Sequence, residues 1–441
     1  MASPTVPTTP ASVRSWLVWG SAAMVYVLAV FHRSSFGVAG LEAVERFGIG
    51  PTALSVFTVL QLGVYATMQV PTGVLVDRFG PRRVLTAAAL FLGTGQILVA
   101  VADTYVLALL ARGVLGFGDA LTFVSVLRLT ASHFPARQYT LVAALTGALG
   151  FLGNLVATVP LALLLTGPGW MVTFLSVGAL TLAYAAVVLW RVVDTRPEVA
   201  AQPAREPVSV RAIGRQIAGA WRVPGTRLGF WTHFSTMFAP NVLVLLWGVP
   251  YLVRAQGLSP TTASSMVMIL VLGAMVGGPV VGAFIGRRPE LRMVLVVGYL
   301  AGAGAAWAVL LSWPGTVPHA VVAVCFGFLS LGGPASMIGF ALARDYNPMG
   351  RVGTATGVVN MGGFLATTIA ALVIGLLLEW TGGSFRAAFL AVVVMLAVST
   401  FRMWVWLVRA RAAVLAAQAR GDAVPVRLRR RSWDSRTAPG T

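Results

Sequence analysis

Residues 73–83 read Gly73-Val-Leu-Val-Asp77-Arg78-Phe79-Gly80-Pro81-Arg82-Arg83. The charged part of this stretch is short, and apolar sequence runs on both sides of it, at about 53–75 and 84–102. Each flank is long enough to cross roughly 30 Å of hydrocarbon as a helix. Working outward, runs of the same kind appear at about 15–38, 105–133, 140–165 and 170–191. After an interruption they resume at about 228–253, 262–285, 291–312, 318–342, 353–379 and 385–408. Six runs, a gap and six more predict an all-α integral membrane protein with 12 transmembrane helices. The short alternating segments that a membrane barrel needs are absent.

Composition points the same way. Of 441 residues, 57% are hydrophobic and 10% charged, and the mean hydropathy is +0.84. A soluble domain carries roughly 25% charged residues, so water is not the expected solvent for most of this surface. The run from Ser15 to Val38 is too long for a signal-peptide core and is expected to remain as a span. The single Cys325 excludes an internal disulfide, and with four His it leaves little for a metal site. No cofactor and no metal are expected. No nucleophile–base pair stands out, so an enzyme is not expected either. Because the chain has no Lys, it cannot carry a Walker-type ATP loop.

The net charge of +19 comes entirely from Arg on the basic side. In a soluble protein such an excess suggests nucleic acid; its placement says otherwise. With the N-terminus inside, 25 of the 32 Arg fall in cytoplasmic segments, Arg46, Arg254 and Arg386 fall outside, and Arg33, Arg112, Arg128 and Arg402 lie within spans. That bias is the positive-inside signature. It places both termini in the cytoplasm and the chain in the cytoplasmic membrane, with the lipid bilayer rather than nucleic acid as its surroundings. The expected organisation is a disordered head at 1–13, a six-helix bundle at 14–191, a cytoplasmic linker at 192–227, a second six-helix bundle at 228–408 and a basic tail at 409–441. In the linker, Val210, Ile213, Ile217 and Trp221 recur at helical spacing while Arg211, Arg215 and Arg222 stay polar, which predicts an interfacial helix.

The halves repeat. Gly73 to Arg78 matches Gly282-Ala-Phe-Ile-Gly286-Arg287, Thr146-Gly147 matches Thr356-Gly357, Pro135 matches Pro348, and Phe174 matches Phe389. The offsets cluster near 210, which predicts two pseudo-symmetric bundles with a cavity between them. The 73–83 stretch resembles the signature loop of the major facilitator superfamily, Gly-x-Leu-x-Asp-Arg-x-Gly-x-basic-basic. Arg112-Gly-Val-Leu-Gly116 is similar to its Arg-x-x-x-Gly motif in span 4. Pro81 departs from the family pattern, and Gly286 leaves the second copy of the loop without its acid. The resemblance implies a secondary transporter that works by alternating access. It also implies a latch, in which Asp77 meets the N-terminus of span 11 near Arg351–Gly353, with Gly73, Arg78, Gly80, Arg82, Arg83 and Arg112 as the accompanying gating residues.

Four ionisable side chains in the spans carry the candidate chemistry. An Arg at the centre of a membrane helix costs about 2.5–3.5 kcal/mol on insertion scales, so Arg33 must face protein or water. It resembles the span-1 Arg of anion-transporting branches, which implies a guanidinium fork for a carboxylate or phosphate; a structural Arg is the alternative. His32 either carries a proton or is a hydrogen-bonded structural imidazole. Asp119 is the one acid expected deep in a span. It either couples protons, since a desolvated carboxyl holds a proton and releases it near a cation, or pairs permanently to hold span 4 to span 1. Arg112, seven residues earlier, shares its helix face.

The second half offers His233, Asn241, Trp247, Tyr251, Asn360 and Glu379, with Pro250 expected to break span 7. Trp247 and Tyr251 read first as interfacial aromatics. Arg33, His32, Asn241 and Asn360 form the candidate substrate set. The expected function is a monomeric, proton-coupled symporter of a small molecule, best an organic anion. Export of an apolar or drug-like compound by proton antiport is the alternative, though the Gly-Pro doublet of that branch is missing from span 5. A transporter-like sensor or assembly partner is the alternative from another class.

Overall fold

The computed structural model describes residues 12–134, 136–194, 210–347, 349–422 and 424. Among them all regular structure is helical, and 12 stretches are long and apolar enough to cross a membrane. The expected head at 1–13, linker at 192–227 and tail at 409–441 lie partly outside the described residues, and so do Pro135 and Pro348.

The first half contains α1 (Val13–Ser34), α2 (Phe36–Phe47), α3 (Pro51–Phe79), α4 (Pro81–Val101), α5 (Tyr105–Ala120), α6 (Thr122–His133), α7 (Ala136–Val156), α8 (Val159–Thr166) and α9 (Gly169–Arg191). The second contains α10 (Val210–Trp221), α11 (Pro224–Val242), a π-helical turn at Leu243–Trp247, α12 (Gly248–Arg254) and α13 (Pro260–Arg287). A 3₁₀ turn at Pro289–Leu291 then leads to α14 (Arg292–Ser312), α15 (His319–Leu329), α16 (Gly332–Asp345), α17 (Met349–Trp380) and α18 (Phe385–Ala419).

Local chemistry sets the ends. Pro51, Pro81, Pro224 and Pro260 each open a helix, where the missing N–H costs nothing. Ser12, Thr104 and Ser384 cap α1, α5 and α18 by accepting from the backbone N–H three residues on. At two other helix ends an Arg takes the terminal carbonyl. Arg46 donates twice to Ala102 O, closing α4, and Arg386 donates to Trp313 O, closing α14. A cation there also complements the negative end of the helix dipole.

The chain divides into two compact units. The first holds α1 to α9 together with Leu243–Val271; the second holds α10, α11 and the chain from Leu272 onward. The division in span 7 falls where α11 gives way to the π-helical turn. Pro250 has no N–H to offer the carbonyl of Leu246, four residues earlier, and the chain rewinds into a wider turn ahead of it. The interruption therefore lies upstream of Pro250, which sits inside α12. Trp247 and Tyr251, expected at the membrane interface, are instead buried within the first unit.

Within the first unit, α1 packs closely on α7. A Cβ on Gly153 would lie 2.4 Å from Val27 O and 3.0 Å from Phe31 N, so only glycine lets the two backbones meet. We expect Gly153→Val to cost about 1–3 kcal/mol by overpacking and to lower the thermal unfolding midpoint of the purified chain. Gly147→Ala, on the same helix with nothing within 4 Å of its Cβ, should leave that midpoint unchanged.

Candidate functional site

The site is built where two helices stop. Arg33 lies in the last turn of α1, just before the chain turns at Ser35 into α2. Asp119 lies in the last turn of α5, two residues before the break at Leu121. Arg33 Nε donates to Asp119 Oδ2 at 2.7 Å and Nη2 donates to Oδ1 at 2.6 Å. This bidentate fork is the strongest form of the Arg–carboxylate contact. The Asp119 side chain is 0% exposed and that of Arg33 10%.

The surroundings hold the guanidinium plane. Arg33 Cζ lies 4.4 Å from the centre of the Tyr65 ring in α3, a cation–π contact in a dry setting. Ser34 Oγ donates to Asn154 Oδ1 of α7 at 2.5 Å, and Thr122 Oγ1 takes the Asp119 carbonyl at 2.7 Å. One turn before Tyr65, Gln61 is buried, and neither its amide oxygen nor its nitrogen has a hydrogen-bond partner among the described residues. Gly116, between Arg112 and Asp119 on α5, packs directly on the Gln61 backbone. Sequence reasoning passed over both Gln61 and Tyr65. Their signal was available, because Gln61, Tyr65 and Gln69 form a polar i, i+4, i+8 stripe in an otherwise apolar run.

Arg112 brings a second buried cation. Its Nη1 donates to the carbonyl of His32 at 3.0 Å, its Cζ lies 4.1 Å from the centre of the Phe36 ring, and its Nε has no partner among the described residues. Among the described residues, no carboxylate pairs with it directly. His32 is engaged on both sides: Nδ1 donates to Gln96 Oε1 at 2.9 Å, and Nε2 shares a 3.0 Å hydrogen bond with Thr181 Oγ1. Its ring is fully buried and joins α1 to α4 and α9, while Arg33 turns to α5.

Asn241 in α11 and Asn360 in α17 are half-buried in the second unit. His233 is buried there too, with Nδ1 donating to Ser336 O at 3.2 Å and its ring 4.7 Å from that of Phe340. Gly73 and Asp77 occupy the last two turns of α3. Gly80, at φ +82°, turns the chain from α3 into α4. A Cβ there would fall 2.5 Å from Asp194 Oδ2. The Asp194 carboxylate accepts from Arg82 N at 2.5 Å, and so caps α4. Arg82 Nη2 donates to Leu189 O, and Arg78 and Arg83 are exposed. The side chains of Asp77 and of residues 351–353, which the expected latch would join, lie outside the described residues.

The fork makes a definite energetic claim. Removing one partner of a buried pair leaves an uncompensated charge and costs about 3–5 kcal/mol. Arg33→Gln and Asp119→Ala should each lower stability by roughly that much in a detergent unfolding titration. The double variant should cost much less than their sum. Strictly additive losses would mean that the two side chains do not act as a pair.

Known proteins can now be compared with this arrangement. The sequence profile described as Major Facilitator Superfamily matches residues 22–339 and 250–436. The chain is 26% identical over 385 residues to the "Probable sulfoacetate transporter SauU" of Cupriavidus necator, covering 83% of this chain and 88% of that one. It is 23% identical over 390 residues to the "Probable galactarate/D-glucarate transporter GarP" of Escherichia coli (strain K12), covering 81% and 86%. Its fold matches the crystal structure of a bacterial homolog to the human lysosomal transporter Spinster, inward-facing and unoccupied. The TM-score is 0.69 at 14% identity, over 90% of this chain and 97% of that one. Twelve spans, a family profile that reaches both halves and a whole-chain fold match lead to one conclusion: the chain belongs to the major facilitator superfamily and is a multi-pass membrane transporter, not an enzyme.

Proposed function

We propose that the chain is a proton-coupled symporter of small organic anions. The observation that carries this reading is the Arg33–Asp119 fork, with Arg112 held nearby without a carboxylate of its own. Two buried guanidiniums against one carboxylate leave a net positive interior, which suits an anionic substrate. The transporters of sulfoacetate and of galactarate or glucarate that the chain resembles are named for small organic anions, and a carboxylate or sulfonate fits the same planar fork that Asp119 fills.

Coupling follows from competition for that fork. A substrate anion can take Arg33 only if Asp119 lets go, and a bare Asp119 carboxylate left in a dry interior is costly. A proton on Asp119 removes that cost. Binding one proton and one anionic group leaves the buried charge unchanged, whereas binding either alone does not. In this reading Gln61 and Tyr65 complete the anion's surroundings in the first unit. His32, whose ring is committed to Gln96 and Thr181, positions Arg33. Both termini are assigned to the cytoplasm on the Arg distribution.

Proteoliposomes test the scheme, with sulfoacetate and glucarate as probes under an imposed inward proton gradient. Wild type should accumulate an anion when the outside is acid. Arg33→Ala should lower uptake about 30-fold or more, in line with the loss of a buried charged contact. Asp119→Asn should keep anion exchange but lose proton-driven accumulation. Full transport by Arg33→Ala, or gradient-driven uptake by Asp119→Asn, would sink the coupling scheme.

A further inference from the structure

On the second unit, α11 and α18 carry the same spaced pair, Arg227-x-x-x-Trp231 and Arg402-x-x-x-Trp406. The two pairs interlock. Arg227 Cζ of α11 lies 4.5 Å from the ring centre of Trp406 in α18, and Arg402 Cζ of α18 lies 5.4 Å from that of Trp231 in α11. Arg409, one further turn along α18, has its Cζ 4.8 Å from the Trp406 ring centre. Residues 402, 406 and 409 stand at i, i+4 and i+7, so they share one helix face. None of the three guanidiniums makes an ion pair among the described residues.

Trp406 is buried and Arg227 and Trp231 are half-buried, while two of the three guanidiniums reach the surface of the unit. Arg402 and Arg409 are exposed. The residues flanking Arg402 on α18 form an apolar belt, with Val398 56%, Phe401 66% and Trp404 46% exposed. In a membrane transporter such a belt meets lipid, so an anion that reaches Arg402 arrives on a lipid. Arg227 is held by Trp221 as well, to whose carbonyl its Nε donates at 2.6 Å, whereas the exposed guanidiniums of Arg402 and Arg409 sit near indole with N–H groups left for oxygen acceptors. We propose that the α11–α18 seam is a binding site for the phosphate of an anionic phospholipid. It neutralises the exposed guanidiniums of Arg402 and Arg409, which have no carboxylate partner among the described residues.

The test uses the purified full-length chain in a neutral detergent and follows thermal unfolding during titration with phosphatidylglycerol. Phosphatidylcholine with the same acyl chains and inorganic phosphate serve as parallel arms. Phosphatidylglycerol alone should raise the midpoint. Its apparent affinity should fall about fivefold for each guanidinium removed, in Arg402→Gln and in Arg409→Gln, from the energy of one basic group near an anionic lipid. Both side chains are exposed, so these variants should fold, and retained helicity checks that. Arg215→Gln, an exposed Arg of α10, should leave the affinity unchanged. Native mass spectrometry of the same proteins should show bound phosphatidylglycerol lost from the double variant. An equal effect of phosphatidylcholine, or a shift with inorganic phosphate alone, would overturn the lipid assignment. So would full lipid affinity in the double variant, or an equal loss in Arg215→Gln.

Discussion

A charge inside hydrocarbon has to be matched within the protein, and the Arg33–Asp119 pair is where this chain meets that demand most directly. The pair joins α1 to α5, and much of the first unit is arranged to keep it in register. Gly153 lets α7 close on α1, Ser34 ties α1 to Asn154, Tyr65 covers the guanidinium from α3, and His32 anchors the same turn to α4 and α9. A membrane helix has no hydrophobic force drawing it to its neighbour, because lipid is as apolar as Leu. Close backbone contact and buried polar bonds must supply the attraction instead. The elements that hold the first unit together are therefore largely the ones that aim Arg33.

Duplication accounts for the frame around this pair, and divergence for its chemistry. The helix interruptions recur at the repeat offset: Ser35 in span 1 and Val244 in span 7 are 209 residues apart, and Leu121 in span 4 and Leu331 in span 10 are 210 apart. Phe174 and Phe389 also match, each buried beneath an aromatic residue one turn earlier, Trp170 and Phe385. At the same offsets, Arg33 and Asp119 correspond to Val242 and Leu329, both buried and apolar. Both halves thus kept the breaks, which mark places where helix geometry departs from the regular ladder. Only the first half placed charge at them. The ionic chemistry is one-sided although the scaffold is symmetric.

The spans were legible in the sequence because each is an apolar run of the length a bilayer requires, and the repeat because Gly, Asp and Arg stand out against that background. Arg33, Arg112 and Asp119 were legible for the same reason. Their pairing was only half so. Arg33 and Asp119 are 86 residues apart, and helical spacing relates residues on one helix, not across two. The reading of Asp119 as a coupling group and as an ion-pair partner of span 1 left two options open, and the structure contains the contact that both need. Gln61 and Tyr65 were missed because a single amide and a single phenol hardly dent the hydropathy of a 29-residue helix. His32 looked like a site residue by adjacency to Arg33. On a helix, neighbours one apart diverge by about 100°, and its ring meets Gln96 and Thr181 instead.

The arginines themselves separate into physical classes once the contacts are known. Of the three expected on the Arg-poor face, Arg46 and Arg386 are engaged at the last carbonyls of α4 and α14. Each therefore has a local reason to be there, despite the cost of a cation on the face that topology disfavours. The seam arginines of α11 and α18 form a second class, set against indole rings. Arg33 and Arg112 form a third, set inside the first unit against Asp119 and the His32 carbonyl. The proposed anion binding rests on these two and not on the net charge of +19.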